Sequence, residues 1–315
     1  MGSFVAYKFK CSMKKFFLNK CSNSTGPSIF GYRLKVELEK RGWRFTKDCP
    51  DYNICFSSGK VDAKAVNILR LDGLYYDTEN TLGNTDTLNA PIKKAYSYFD
   101  KLIFQSKYGK ELFVRNFGET NKPHDVIYNG VPSTFSPEGP AYKYPWDKTL
   151  VCSASWRAHK RLRDIVAGFN KLSNNSVGLA VLGECKEIIK AKNVQYFGNI
   201  PTDKLPFYLR GANAFVHLTW LDCCPNVVVE ALACGLPVLC SDNGGTKELV
   251  GDSGIVLTLE PEYTFERVAL YKPPVSRPCV VSAGMEAILN WKKEIYRPDF
   301  LIDNVAKKYI KFMLS

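Results

Sequence analysis

The sequence predicts an α/β protein of two units, each a parallel β-sheet covered by helices. Short apolar segments alternate with amphipathic ones along most of the 315 residues, which is the pattern of parallel strands connected by helices. A stretch rich in Pro, Gly and Ser interrupts this alternation at about residues 136–148, as a linker does. The length corresponds to roughly two domains. We therefore expect one unit at residues 1–140 and a second at residues 141–296.

The individual elements follow from composition and spacing. In the first unit, residues 28–41 predict an amphipathic helix that Gly42 ends, and the strand candidates are residues 4–9, 52–57, 65–71 and 101–106. In the second unit, helices are expected at residues 161–173 and about 204–211, between strand candidates at residues 149–155, 177–183, 194–198, 212–219 and 237–242. The tail from Trp291 predicts a helix broken at Pro298. Its last part, residues 297–315, is expected to pack back on the first unit.

The chain is basic, with a formal net charge of +12, and much of this charge lies early. Residues 1–50 contain eleven Lys and Arg residues against three Asp and Glu residues. Such a surface attracts nucleic acid, anionic membranes or phosphorylated ligands. No zinc finger, RNP pattern or basic heptad segment accompanies the charge, so a nucleic-acid partner is disfavoured. An enzyme with phosphorylated ligands, in peripheral contact with an anionic membrane surface, fits the sequence better.

Other signals favour the cytoplasm. The eleven cysteines are odd in number and never form a CxxC pair, which is typical of reduced core residues in a cytosolic protein. No run of about 18 uncharged apolar residues predicts a transmembrane helix. The first twenty residues mix charges with apolar residues, unlike a signal peptide.

The segment DCCPNVVVEALACG, residues 222–235, is the most informative about function. It predicts a buried helix that Gly235 ends. Two carboxylates, Asp222 and Glu230, flank the start of this helix, where free N–H groups and the helix dipole favour phosphate. A site for a sugar attached to a nucleotide needs acceptors for sugar and ribose hydroxyls at a fixed separation, and these carboxylates can supply both.

The alternative for these two carboxylates is structural. Asp222 can be an N-cap before Pro225, which tolerates the first turn of a helix, and Glu230 can be a solvated helix residue. However, a carboxylate on a buried helix is costly unless it is paired or bound by a ligand. The burial predicted for this helix therefore favours a role in binding.

Residues that follow strands are further candidates, because ligands of parallel α/β sheets bind at the carboxyl ends of strands. Arg157 and Lys160 follow one strand and can neutralise a diphosphate. They can also be ordinary surface residues, although bases at a helix start oppose the helix dipole. Gly198 and Asn199 follow another strand, and Asn199 can contact a nucleotide base through backbone groups.

Weaker candidates lie in the first unit. Gly26 belongs to a turn before a helix that can face a phosphate. Asp72 and Gly73 follow a strand, and Asp72 is the candidate polar group on the acceptor side. It can equally be a turn residue.

Several segments recur in the order known from one enzyme family. They are LDGLYYD, PIKKAYSYFDKLIFQSKYGKELF and VIYNGV in the first unit, and SASWRAHKRL, YFGNI, DCCPNVVVEALACGLPV and SDNGGTKELV in the second. Together they resemble GT-B glycosyltransferases of the retaining family 4 type, over about residues 25–300. The resemblance implies two Rossmann-like α/β domains that face each other across a cleft. It also implies a retaining hexosyl-type glycosyltransferase that uses a nucleoside-diphosphate sugar.

The resemblance assigns roles to the candidate residues. The family's paired-glutamate motif falls on Asp222 and Glu230, with Asp in place of the first Glu. Asp222 is then expected to hold the donor sugar, Glu230 the ribose, and Arg157 and Lys160 the diphosphate. The other donor-binding candidates are Cys223, Cys224, Pro225, Asn226, Gly198, Asn199 and Gly26.

No cofactor is expected. The chain has no D-x-D motif, and none of its three histidines is spaced with Cys as a metal site. Arg157, Lys160 and the helix start at Cys223 and Cys224 are expected to stabilise the charge that develops on the departing phosphate. The resemblance implies that a glycan or glycolipid-like acceptor attacks on the face of the leaving group, with retention and without an enzymic nucleophile.

Other functions fit less well or remain open. The chain lacks the G-x-G-x-x-G of a Rossmann dehydrogenase, and residues 57–62 lack parts of a P-loop. A GT-B-fold epimerase and a non-enzymatic basic module that binds nucleotides or nucleic acid stay as alternatives.

Overall fold

A computed structural model describes residues 13–22, 25–259 and 261–315. The strand expected at residues 4–9 lies outside these ranges. The described chain contains two six-stranded sheets in which every neighbouring pair of strands is parallel. The predicted α/β class is therefore confirmed.

The first sheet has the strand order β2-β1-β3-β4-β5-β6. Its strands are β1 (Lys15–Leu18), β2 (Arg44–Phe45), β3 (Tyr52–Phe56), β4 (Val66–Leu71), β5 (Lys101–Phe104) and β6 (His124–Val126). The connecting helices are α1 (Gly26–Lys40), α2 (Thr85–Tyr98) and α3 (Lys107–Phe117). The central strands are buried on both faces, as helices on both sides of a parallel sheet require.

The second sheet has the order β12-β11-β10-β7-β8-β9. Its strands are β7 (Lys148–Ser153), β8 (Val177–Leu182), β9 (Val194–Tyr196), β10 (Ala214–His217), β11 (Val238–Ser241) and β12 (Gly254–Leu257). Its helices are α4 (Leu162–Phe169), α5 (Leu205–Arg210), α6 (Asn226–Ala233), α7 (Thr246–Val250) and α8 (Pro278–Leu289). The carboxyl ends of both sheets point to the space between the two units.

The tail differs from the sequence prediction in its first part. Residues 291–297 are not helical; a single 3₁₀ turn at Pro298–Phe300 is followed by helix α9 (Ile302–Leu314). Proline disfavours helical backbone in the residue that precedes it, which accounts for the later start. Helix α9 packs on the core of the first sheet, where Tyr309 is fully buried.

Arg70 is the largest fully buried side chain in the described chain. It pairs with Asp72, donates from Nε to the hydroxyl of Tyr309 at 2.9 Å, and donates from Nη2 to Asn129. The guanidinium also lies 4.5 Å from the centroid of the Phe30 ring. A buried arginine is tolerated only with such partners. Helix α9 therefore helps to stabilise the buried Arg70 guanidinium near the end of β4, through the hydroxyl of Tyr309.

We expect Tyr309→Phe to lower the free energy of unfolding by roughly 1–3 kcal/mol, because Nε of Arg70 loses its acceptor in a buried place. Urea denaturation measures the change. Tyr32→Phe is the matched control, since that side chain is 43% exposed and the same substitution there should change stability by less than about 0.5 kcal/mol. Equal effects of the two substitutions would contradict the role of the Tyr309 hydroxyl.

Candidate active site

A cleft of about 1170 Å³ separates the two units. Residues from the ends of several strands and from the starts of helices line it. Those that carry the argument are Gly26, Asp72, Gln105, Asn129, Arg157, Lys160, Lys186, Asn199, Asp222, Cys224, Pro225, Asn226 and Glu230. Most of the predicted site residues therefore meet in one cavity, at the edge where parallel sheets bind ligands.

Two basic residues, Arg157 and Lys160, line the side of the cleft that the second unit forms, the second-unit wall. Arg157 precedes a 3₁₀ turn at Ala158–Lys160 and is exposed, and its guanidinium has no hydrogen-bonding or ionic partner among the described residues. Lys160 donates to Oδ2 of Asp222 at 2.7 Å. Burial acts to raise the pKa of Asp222, but the adjacent Lys160 ammonium outweighs it and lowers the pKa below the usual range. At neutral pH, Asp222 and Lys160 form a charged pair, and Arg157 offers a free cation to the cleft.

The helix that follows Asp222 begins later than expected. Helix α6 starts at Asn226, and Pro225 is its N-cap residue, so Cys223 and Cys224 precede the helix. Asp222 makes no capping hydrogen bond to it. Because Pro225 lacks an N–H group, the free N–H groups of this helix start with Asn226.

The N-terminal ends of α1 and α6 meet across the cleft. Nδ2 of Asn226 donates to the carbonyl of Gly26 at 3.1 Å. Asn129, which follows β6, donates from Nδ2 to the carbonyl of Cys224 at 2.9 Å and to Oδ1 of Asn226 at 2.8 Å. Two positive helix ends therefore face the same space, which favours an anion there.

Glu230 lies on the buried face of α6, and its side chain is 5% exposed. Its Oε1 accepts from Nη2 of Arg33 in α1 at 2.6 Å. Sequence reasoning required a partner or a ligand for a carboxylate in this position, and the structure supplies a partner from the other unit. The side chain still lines the cleft.

Three predicted site residues do not line the cleft: Gly73, Gly198 and Cys223. Cys223 packs into an apolar cluster between the units, with Tyr76 and Tyr108 from the first unit. Gly73 has a φ of +115°, and a Cβ there would lie 2.9 Å from Sγ of Cys223, so glycine allows this contact. Cys223 and Gly73 therefore join the units rather than face a ligand, whereas Gly198 accepts a hydrogen bond from Gly183 within the second unit.

The turn after β11 also joins the units. Its glycines allow the chain to approach the backbone of Asp222, whose carbonyl accepts from Gly245 N at 2.8 Å. Glu248 then accepts from the backbone N–H groups of Lys107 and Tyr108, both at 2.8 Å. These groups lie at the start of α3 in the first unit. A carboxylate of one unit thus satisfies the free N–H groups of a helix in the other.

Sequence reasoning missed several cleft residues and their supports. Asn129 follows a strand, so the rule applied to the second unit could have found it. Arg33 lies at helical spacing from the buried Phe30 and Glu37, so a charge on a buried helix face was the available signal. Lys186 and Gln105 carried no distinguishing pattern.

Histidine and cysteine have no catalytic arrangement in this site. Burial and the nearby Lys160 charge lower the pKa of both His159 and His217 to about 3, so both rings are neutral at pH 7. His159 stacks on Tyr271, a cleft residue, with ring centroids 5.3 Å apart. All ten cysteines of the described ranges are free, and these ranges contain no cluster of three or more His, Cys, Asp or Glu suited to a metal ion. Nor do they contain a helix that could span a membrane.

Comparisons with known proteins fit this architecture. Residues 143–265 match the model of the family glycosyl transferases group 1. O-antigen chain mannosyltransferase B of Escherichia coli is 35% identical over 63 residues, which are 20% of this chain and 16% of that protein. A putative teichuronic acid biosynthesis glycosyltransferase of Bacillus subtilis is 36% identical over 69 residues, 22% of this chain and 18% of that protein. Each match therefore spans less than a fifth of the relative.

Solved structures match over almost the whole chain. Sucrose-phosphate synthase from Thermosynechococcus elongatus superposes with a TM-score of 0.64 at 13% identity, over 96% of this chain and 94% of that one. HepE from Anabaena, in complex with UDP-glucose, superposes with a TM-score of 0.63 at 14% identity, over 96% of this chain and 100% of that one. The fold is that of the GT-B glycosyltransferases. Most of the second unit matches the group 1 glycosyl transferase model, and both findings support the resemblance to a GT-B glycosyltransferase seen in the sequence.

We expect Lys160→Met to lower the free energy of unfolding at pH 7 by roughly 1.5–3 kcal/mol, because Asp222 loses its charged partner. In the wild type, the lowered pKa of Asp222 contributes stability above the pKa of the unfolded chain, and this is lost as pH falls through the folded value. In the variant, Asp222 stays buried but loses the Lys160 charge, so its pKa should rise relative to the wild type and acidification should relieve the destabilisation. Urea denaturation between pH 7 and pH 4 measures both effects.

Lys186→Met is the matched control, because Lys186 lines the cleft without a recorded ion pair in the described chain. Asp222→Asn, introduced into the wild type and into Lys160→Met, isolates the contribution of Asp222 to the pH dependence of the free energy of unfolding. Parallel pH profiles for wild type and Lys160→Met would contradict the coupling.

Proposed function

We propose that this protein transfers a sugar from a nucleoside-diphosphate sugar to a glycan or glycolipid-like acceptor, with retention and without a metal. The observation that carries the proposal is the composition of the cleft. The cations of Arg157 and Lys160 and the starts of α1 and α6 line one cleft together with the carboxylates of Asp222 and Glu230. A diphosphate needs the first set, and the hydroxyls of a sugar and a ribose need the second.

The similar proteins support a donor of this class. HepE was crystallised with UDP-glucose, and the relative from Escherichia coli is named a mannosyltransferase. The family match covers the unit that carries Arg157, Asp222 and Glu230. We therefore assign the nucleotide sugar to the second-unit wall.

The charges that line the cleft explain how it can serve a leaving diphosphate. Lys160 has three N–H donors, and one is used by Asp222. Its remaining donors, together with Arg157 and the free N–H groups at the start of α6, are available to phosphate oxygens. Negative charge grows on these oxygens as the bond to the sugar breaks, and fixed positive groups in a cleft stabilise it more than water does. No residue is assigned as a covalent nucleophile.

The acceptor is assigned to the first-unit wall. Asp72, Gln105 and Asn129 line the cleft on that side. Arg70 pairs with Asp72, and this fixes the carboxylate at the end of β4. Ser57 also donates to Oδ2 of Asp72 at 3.4 Å. We propose that Asp72 accepts a hydrogen bond from an acceptor hydroxyl and orients it towards the donor.

We expect one class among UDP-, GDP-, ADP- and dTDP-sugars to raise the melting temperature, and the increase to persist in EDTA. A ligand that binds only the folded state stabilises it by about 2.7 kcal/mol at 100 times its dissociation constant. Thermal denaturation with each donor, with and without EDTA, measures this. An increase that EDTA abolishes would contradict metal independence, and no response to any donor would contradict the proposed function.

We expect Arg157→Ala to lower kcat more than it raises KM, because the free cation acts on charge that appears in the transition state. Initial rates with the donor identified by thermal denaturation measure both constants. Arg163→Ala is the control, since this exposed residue pairs with Glu187 and does not line the cleft. An effect on KM alone would assign Arg157 to binding rather than to catalysis.

A further inference from the structure

Arg33 connects the first unit to the carboxylate assigned to the donor. It lies in the middle of α1 and is 6% exposed, although the start of the same helix lines the cleft at Gly26. Arg33 itself does not line the cleft. Among the described residues, it reaches the cleft through Glu230, with which it pairs across the boundary between the units.

The position of the Arg33 guanidinium is fixed from three sides. Nη2 donates to Oε1 of Glu230 at 2.6 Å, and Nη1 donates to the carbonyl of Gly130 at 3.4 Å. The ring of Phe135 lies under the group, 5.5 Å from its centroid. Since Gly130 and Phe135 belong to the connection between the two sheets, this contact ties α1, the connection and α6 together.

The ion pair with Arg33 engages Oε1 of Glu230 and leaves Oε2 available for another hydrogen bond. Oε2 has no hydrogen-bonding partner in the described part of the chain, while the Glu230 side chain lines the cleft. An ionised carboxylate only accepts hydrogen bonds, so Oε2 suits a group that presents hydroxyls. By holding Oε1, Arg33 fixes the orientation of the carboxylate and of its accepting oxygen Oε2.

We infer that Arg33 is a positioning residue that presents Oε2 of Glu230 to the ribose hydroxyls of the donor. A helix of the first unit thereby sets the selectivity for ribose over deoxyribose without contacting the nucleotide. The inference rests on the proposed function, because it assumes that a nucleotide occupies the second-unit wall.

The test compares nucleotide selectivity in Arg33→Met and wild type. Isothermal titration uses whichever of UDP, GDP and ADP binds the wild type best, together with its 2′-deoxy and 3′-deoxy forms. The wild type should prefer the ribonucleotide at least tenfold over one of the deoxy forms. In Arg33→Met the preference should fall to within about threefold, because an unguided carboxylate gains little from the extra hydroxyl.

Two further variants separate positioning from general damage. Arg41→Met changes another arginine of the α1 end, one that pairs with Glu37 and Asp303 away from the cleft, and should keep the wild-type preference. The double variant Arg33→Met/Glu230→Gln should prefer the ribonucleotide over its deoxy forms no less than Glu230→Gln alone does. The effects of substituting two residues that act as one unit are not additive. If Arg33→Met does not fold, Arg33→Lys carries the test: it keeps the charge but loses the planar geometry, and its preference should lie between those of wild type and Glu230→Gln.

The outcomes are distinct. A wild-type preference retained in Arg33→Met, or in Arg33→Lys where that variant decides, overturns the inference and leaves the proposed function standing. Equal loss of affinity for ribo and deoxy forms, with the ratio unchanged, assigns Arg33 a structural role and also overturns it. A wild-type protein that binds none of the three ribonucleotides overturns the inference. If dTDP-sugars also fail to raise its melting temperature, the proposed function falls with it.

Discussion

A charge that is removed from water must be paired, and this requirement organises the boundary between the two units. Arg33 with Glu230 and Arg70 with Asp72 are both almost fully buried on the arginine side. Removing one partner of such a pair costs far more than the pair contributes, because the other charge is left without compensation. The relative position of the units is therefore specified by geometry as well as by apolar contact. The Arg33–Glu230 pair joins the two units, whereas the Arg70–Asp72 pair lies within the first unit. Each carboxylate of these pairs also lines the cleft, so both pairs orient the site.

Apolar and backbone contacts close the other side of the boundary. The hydroxyls of Tyr76 and Tyr108 share one hydrogen bond of 2.8 Å within the cluster that includes Trp220 and Cys223. Glu248 satisfies the start of α3. The cleft is thus open on one side and held by polar and aromatic contacts on the other. A ligand that enters meets a wall of fixed dipoles, which need little reorganisation when charge develops.

The fold was predictable because its signals are local. Residues 177–183 are a continuous apolar run, and residues 52–57 are mostly apolar apart from Asn53 and Ser57. The structure has buried parallel strands in both places. The helix at residues 28–41 was recognisable from spacing, and its true start differs by two residues because Pro27 favours the first turn. Helices α2 and α8 were not anticipated. Both helices contain a proline. Helix α2 has few regularly spaced apolar residues and helix α8 has few charges, so neither shows a clear amphipathic pattern.

The candidate site was predictable only in part, for a related reason. Residues that follow strands reach the cleft, as Asn199 and Asp72 do, because the direction of a parallel sheet fixes where strands end. Partners from the other unit cannot be read from one segment: Arg33 and Glu230 are 197 positions apart. The exact start of α6 was also missed, since two cysteines before a proline give no signal of whether the first turn has begun.

Helix α9 gives the chain an unusual order of completion. It covers the core of the first sheet, yet about 175 residues separate its first residue from the last residue of β6. At typical rates of synthesis, roughly 5–20 residues per second, the ribosome needs on the order of 10–35 s to make that stretch. The second unit can finish folding within this time, while an apolar face of the first sheet still waits for its cover. That face is the surface through which a nascent chain of this kind meets chaperones or other unfinished chains.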